Sequence, residues 1–308
     1  MTSTYPSQAF ILYLNIDVFP AAWAAYRGIL ITPANYGMQS FRPISYWPYN
    51  LLRTKRTLRF QKEIELEQIR RKFYPDHVSR LHGIYLWGDE PSAKRGERWR
   101  GTEGNHFHAD YLVEVGFTYN GLTKADTNWI DAYLLPDNVP LDQNCLDWMH
   151  SYWRGEAYPQ AEPLWEYIAE GRGVLYGTTL RTQAYQKVKA LAPESLGQLE
   201  LGRVAVEMGS DLYHLSPFIR QLSPTSFTVD FALDERDQND QFMEKAGHQI
   251  KQIMEQDRTH INWEALDLLR GDTKRPDLRG MGVVFDCSEF SVDAGTLIES
   301  MLSSHDGS

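Results

Sequence analysis

Cysteine is scarce in this chain of 308 residues, with Cys145 and Cys287 alone. Two cysteines with no CxxC-type spacing make neither a disulfide framework nor a zinc cluster, and they point to a reducing compartment. No apolar run reaches membrane-spanning length, so no membrane is expected among the partners. The opening Met1-Thr-Ser-Thr-Tyr-Pro lacks a charged segment followed by an apolar one. A secretory leader is therefore not expected, and a cytoplasmic location is. Positive charge is also in deficit: 31 Lys and Arg stand against 41 Asp and Glu, a net charge of −10. That balance argues against indiscriminate nucleic-acid binding, while leaving room for a local basic groove. Internal repeats and low-complexity tracts are absent.

What is present is apolar and aromatic material. Hydrophobic residues make up 42% of the chain, ample for a core. The length fits one large or two ordinary domains. Nine Trp, 17 Tyr and 13 Phe are enough to line a pocket as well as fill an interior.

The most informative stretch runs from Ser79 to Lys94. Gly83-Ile84-Tyr85-Leu86-Trp87 is short, branched and aromatic, and reads as a buried strand. Gly88-Asp89 ends it in a turn, and Glu90-Pro91-Ser92-Ala93 opens a helix with proline in its first turn. A glycine just before Tyr85 lets a backbone or a flat ligand come close. Ser79 and Arg80 stand at the entrance to this strand. Arg80 has the planar donors to hold a diphosphate, and a buried ion pair with a helix glutamate accounts for it equally well.

Gly83-Ile84-Tyr85-Leu86 with Ser92-Ala93 resembles the signature of the ADP-ribosyltransferase superfamily, in its poly-ADP-ribose polymerase and diphtheria-toxin-like form. The resemblance covers residues 9–180. It implies an α+β fold, with a split, mixed or antiparallel sheet and helices around it. In that family the tyrosine, here Tyr85, stacks on the nicotinamide of NAD. A first strand, here Ala9 to Asp17 followed by a short helix to Arg27 and a stop at Gly28, carries a His or Arg that bonds the NAD ribose. The matching position falls nearest Asn15 or Tyr13, with Arg42 as the substitute if the strand is aligned differently. A catalytic glutamate lies ahead of a glycine turn. In Glu162-Pro163-Leu164-Trp165-Glu166 to Tyr176 the choice is Glu166, with Glu162 and Glu170 as neighbours. The three segments occur in the family's order. NAD is thereby implied as substrate, with a protein or nucleic acid as acceptor. Because the superfamily includes bacterial toxins and phage-defence effectors, an inhibitory antitoxin is an implied partner.

Other segments carry alternatives. Residues Leu51 to Tyr74 read as helical, with Arg53, Lys55, Arg56, Arg59 and Lys62 forming a basic run. A solvated helix face is the plainer account of it, and a phosphate-binding patch the sharper one. His106, His108 and Asp110 share one face if they open a strand, which is metal-ligand spacing in principle. That face keeps a metal-dependent hydrolase or nuclease in view, beside a catalytically inactive NAD- or nucleotide-binding module, although no metal is expected. Leu215-Ser216-Pro217 and Leu222-Ser223-Pro224 read as a linker. It divides a catalytic domain over 1–212 from a small α/β unit over 224–308, with an amphipathic helix over Gln241 to Gln256 and further helices over Trp263 to Leu269 and Ala294 to Leu302.

Overall fold

The computed structural model describes residues 5–33, 42–99, 104–135, 146–256, 274–288 and 290. Strand β1 (Ser7–Tyr13) ends before Asn15, and helix α1 (Phe19–Arg27) follows with Pro20 in its first turn. Gly28, at φ +81°, stops α1 in the left-handed conformation that glycine adopts without strain. Strands β2 (Ile29–Ile31) and β3 (Arg42–Pro43) lead to helices α2 (Tyr46–Arg53) and α3 (Thr57–Phe73). The expected single helical stretch is thus broken, with Lys55 at φ 60° in the turn between the two. Strand β4 (Ile84–Trp87) and helix α4 (Glu90–Gly96) form as the sequence predicts, and the Asp89 carboxylate caps the helix by accepting from the Ser92 N–H. Strand β5 (Leu112–Asp126) runs into the short helix α5 (Thr127–Trp129), which Asp126 caps. Helix α6 (Asp147–Trp153) precedes strand β6 (Trp165–Leu175), and helices α7 (Thr178–Leu191) and α8 (Leu196–Glu207) follow. Strands β7 (Leu215–Gln221) and β8 (Ser226–Leu233), helix α9 (Asp240–Gln256) and strand β9 (Val283–Asp286) complete the described chain.

The fold is α+β with antiparallel sheets. β6 is the spine of the larger, five-stranded sheet. On one side it pairs with β5, from Asp126↔Trp165 to Val115↔Leu175. On the other its first half pairs with β4 and its second half with β2. β5 also pairs with β1, and β1 meets β4 at Ile11↔Trp87, so four strands close on themselves and β2 flanks them. A bulge at Tyr119/Gly121 bends β5 opposite Gly171, whose φ of +151° suits glycine alone. The second sheet has the order β3-β7-β8-β9.

The stretch 215–224 is a hairpin rather than a linker: Ser216 and Pro217 lie inside β7, which is paired on both sides. Phe227, Val229 and Phe285 join the same apolar cluster as Phe10, Trp23 and Phe117. The Phe60 and Phe285 rings meet edge to face at 5.6 Å.

One local expectation changes. His106, His108 and Asp110 do not share a strand face, because His106 and Asp110 lie in two tight 3-10 turns over Gly104–Phe107 and Ala109–Tyr111, His108 joins them and caps the second, and β5 begins only at Leu112. His108 Nδ1 accepts from the Asp110 N–H at 3.2 Å, a local bond that favours the turn over a ladder. The helices expected at Trp263 to Leu269 and Ala294 to Leu302 lie outside the described residues, as does Cys145.

Candidate functional site

A pocket opens where the end of β1 and the strand β4 face the α2–α3 corner. It contains about 1050 Å³ of space between atoms, part of it open to solvent at the mouth. Its walls are mostly apolar and aromatic, with Leu12, Tyr85, Trp47 and Phe107 among them, and Asn15, Ser45, Arg59, Arg80, His106 and Glu166 supply polar groups. An apolar, aromatic lining with a few convergent polar groups suits a small organic ligand.

β6 positions Glu166 opposite Trp87 of β4, two pairs along from Tyr85↔Ile168 and therefore on the same face of the sheet. The Glu166 side chain is buried and belongs to a polar network. Arg80 Nη1 donates to Glu166 Oε1 at 2.9 Å, and the Tyr152 hydroxyl donates to the same oxygen at 2.9 Å. Arg80 Nε and Nη2 donate to the two oxygens of Glu63 at 2.8 and 3.2 Å, and Nη1 also reaches the Tyr152 oxygen at 2.5 Å. Arg80 is thus held between two carboxylates, so the ion pair with a helix glutamate foreseen for it is present.

Burial sets the electrostatics. Removing a carboxylate from water costs several kcal/mol, so its charge survives only as far as neighbours offset that cost. Desolvation raises the Glu166 pKa above the ordinary carboxylate value, and Arg80 offsets this only in part. Glu63 faces the same burial, but Arg80 and Arg59 together outweigh it and hold its pKa below the ordinary value. Burial drives the Tyr85 and Tyr152 hydroxyls well above the usual phenol range, so both remain donors.

The aromatic side of the pocket is built around Tyr85. Its hydroxyl donates to the Arg80 carbonyl at 2.7 Å, and the Arg80 guanidinium lies 4.8 Å from its ring centre. Trp47 crosses Tyr85 edge to face at 6.5 Å, and His106 packs 5.1 Å from Trp47. Although His106 keeps some surface, the rings around it strip its solvation and bring its pKa down to about 4.

Gly83 has a different use from the close approach of a ligand. A Cβ there would stand 2.3 Å from Ile168 Cγ2 and 2.9 Å from Val78 Cγ1, so the neighbouring strand fills the space.

Of the residues chosen from sequence, Asn15, Arg80, Tyr85 and Glu166 line this one pocket. Asn15 sits just past β1, where its side-chain oxygen accepts from the Asp17 N–H at 3.0 Å and turns the chain toward α1. Ser79 lies behind the wall, its hydroxyl accepting from the Leu81 N–H at 3.1 Å. Arg42 is in β3, where its backbone pairs with Ile219 in the second sheet. Sequence reasoning did not single out Ser45, Trp47, Glu63 or Tyr152. The basic run is not a uniformly solvated face: Arg53 and Lys55 are exposed, whereas Arg59, Lys62 and Arg70 are buried. Arg59, Glu63, Glu67 and Arg70 recur at helical spacing, with pairs at 3.0 Å (Arg59–Glu63) and 2.8 Å (Glu67–Arg70). That spacing was the one signal in the sequence, and it is shared by ordinary surface helices.

Among the described residues, no three His, Cys, Asp or Glu side chains come together to hold a metal ion. Among the same residues, no helix is long and apolar enough to cross a membrane. No protein family model matches the chain, and no curated protein matches it.

Proposed function

We propose that the chain transfers ADP-ribose from NAD to a macromolecular acceptor, protein or nucleic acid, with release of nicotinamide. The observation that carries this reading is the convergence of Asn15, Tyr85 and Glu166 on one pocket from three separate segments of sequence. These are the positions at which the resemblance to ADP-ribosyltransferases implies a ribose-binding, a ring-stacking and a catalytic residue. The closed antiparallel sheet, with β6 split between β4 and β2, is compatible with the core such an enzyme uses.

In this mechanism Glu166 acts on charge. Breaking the bond between nicotinamide and the ribose leaves positive charge at the anomeric carbon, as in glycoside cleavage. The ionised Glu166 carboxylate stabilises that charge. Its Oε2 takes no hydrogen bond from the described residues and can accept one from a ribose hydroxyl. The nicotinamide nitrogen keeps the bonding electron pair, an acceptor oxygen or nitrogen bonds the carbon, and the acceptor proton passes to Glu166. A raised pKa suits that last role, because it makes the carboxylate a better base. Tyr85 and Trp47 give the leaving ring an aromatic wall, and Asn15 offers amide groups at the ribose end.

The test is nicotinamide release by the purified protein, with cell lysate present to supply acceptors. Release is expected in wild type and is expected to fall about 100-fold or more in Glu166→Gln, as for loss of a principal charge-stabilising group. No release and no NAD binding would remove the proposal. A second reading, binding without turnover, draws support from the Arg80–Glu166 pair, which partly neutralises the carboxylate. NAD binding without release would favour it.

A further inference from the structure

Buried polar atoms of Ser45, Tyr46, Trp47 and Arg59, all lining the α2–α3 side of the pocket, are left over by this mechanism, and Arg59 and Ser45 are the most deeply buried of the four. Arg59 is 2% exposed, and its Nη2 bonds Glu63 Oε1 at 3.0 Å. Its Nε and Nη1 have no hydrogen-bond partner among the described residues. Ser45, 8% exposed, precedes α2, and its hydroxyl also has no partner among the described residues and does not cap the helix. Both residues line the pocket that holds Glu166. Native proteins rarely bury donors without acceptors, because the lost hydration is not recovered. A group of them at one cavity marks where a ligand's acceptors belong.

Charge decides which acceptors. Arg59 and Arg80 share the single carboxylate of Glu63. Arg80 spends its remaining Nη1 on Tyr152 and Glu166. Arg59 is the less compensated of the two cations, with a single bond to Glu63, and its unused donors are shielded from bulk water, where charge-assisted bonds are strongest.

We infer that Arg59, assisted by the Ser45 hydroxyl, is the oxyanion anchor of this pocket and binds a phosphate-class group of the ligand. Assignment of that group as the diphosphate of NAD rests on the function proposed above; the anchor itself rests on the unbonded donors. Arg80, the sequence-based choice for the diphosphate, instead holds Glu166 and Glu63 in place.

The test is equilibrium binding, read by tryptophan fluorescence or calorimetry, with ADP-ribose, nicotinamide riboside, inorganic pyrophosphate and inorganic phosphate as probes. In wild type, ADP-ribose is expected to bind more tightly than nicotinamide riboside, and pyrophosphate to compete with it. In Arg59→Gln, ADP-ribose and pyrophosphate are expected to weaken about 10- to 100-fold, the size of a lost charge-assisted hydrogen bond. Nicotinamide riboside is expected to stay within about twofold, since it carries no anion for Arg59 to meet. Arg59→Lys, which keeps the charge, is expected to recover part of the loss. Competition by pyrophosphate but not phosphate identifies a diphosphate; equal competition identifies a single phosphate group and keeps the anchor. Equal weakening of all probes in Arg59→Gln would make the residue structural and overturn the inference. If that variant does not fold, failure of both anions to compete in wild type would overturn it. Nicotinamide release is not part of this readout: pyrophosphate binding through Arg59 without release would sink the transferase and leave the anchor standing. Release with unchanged discrimination in Arg59→Gln would do the reverse.

Discussion

Arg80 and Glu166, 86 positions apart in sequence, meet at 2.9 Å in the wall of the pocket, and Glu63 grips the other side of the same guanidinium. Neither carboxylate is independent of the other, because each sets how much of the Arg80 charge its rival receives. This makes the pair testable from both ends.

Glu63→Gln leaves Arg80 buried with half its compensation. A loss of about 3–5 kcal/mol is expected, the usual cost of removing one partner of a buried ion pair, measured by denaturant midpoint. Because folding lowers the Glu63 pKa, its stabilisation is present above the unfolded carboxylate value and is lost as pH falls through the folded one. The variant is therefore also expected to be less sensitive to acid than wild type. Equal acid sensitivity in the two would count against this assignment.

The activity proposed here needs Glu166 ionised. Its raised pKa puts the acid limb of nicotinamide release above the ordinary carboxylate range of about 4.3. Arg80→Gln removes the main charge favouring ionisation, so the limb is expected to move to higher pH. Glu63→Gln removes a repelling charge and turns Arg80 wholly toward Glu166, so the limb is expected to move down. A pH–rate profile that is the same in both variants would show that Glu166 does not set the limb.

His106 titrates at about 4 in the folded protein, against about 6.5 in an unfolded chain. Between those values the unfolded state binds more protons, so His106 costs stability as pH falls through this window, and the cost is level below it. Replacing it with Gln is expected to flatten that part of the stability curve. Chemical denaturation of both proteins across the window measures the difference.

Gly171 has a φ of +151°, and an added Cβ would lie 2.1 Å from the Thr118 carbonyl oxygen. Its N–H donates to the Thr32 hydroxyl at 2.9 Å, and its carbonyl accepts from the Thr32 N–H at 3.0 Å. Gly171→Ala is expected to destabilise by roughly 1–3 kcal/mol or more through backbone strain and the clash. Thermal melting beside Gly209→Ala, also at positive φ but with open space around it, separates the clash from the strain.

Much of the framework was legible because it is local. The branched run ending at Trp87, the Asp89 cap and the proline in the first turn of α4 all act within a few residues, and each formed where expected. β7 was not legible: a Ser-Pro pair signals a break, and only flanking β3 and β8 keep Pro217 in a strand. The buried charges of α3 were hidden for a different reason. Arg59 and Glu63 at i, i+4 look the same whether water or protein faces them, and only tertiary packing decides. Glu166 could be chosen by its place in the chain, but Tyr152, which bonds it, lies on α6 in a segment with no motif.

The double-sided pairing of β6 has a kinetic meaning. From Glu166 to Ala169 the strand is laddered to β5 and β4 at once, and from Arg172 to Val174 to β5 and β2. Amide protons there have no edge from which to fray. They are expected to exchange with deuterium only when the whole sheet opens, among the slowest in the molecule. The carboxylate proposed to do the chemistry therefore rides on a strand whose backbone stays closed for nearly the lifetime of the folded state. Heating should abolish activity and sheet protection together, with no earlier step in which the Glu166 backbone loosens alone.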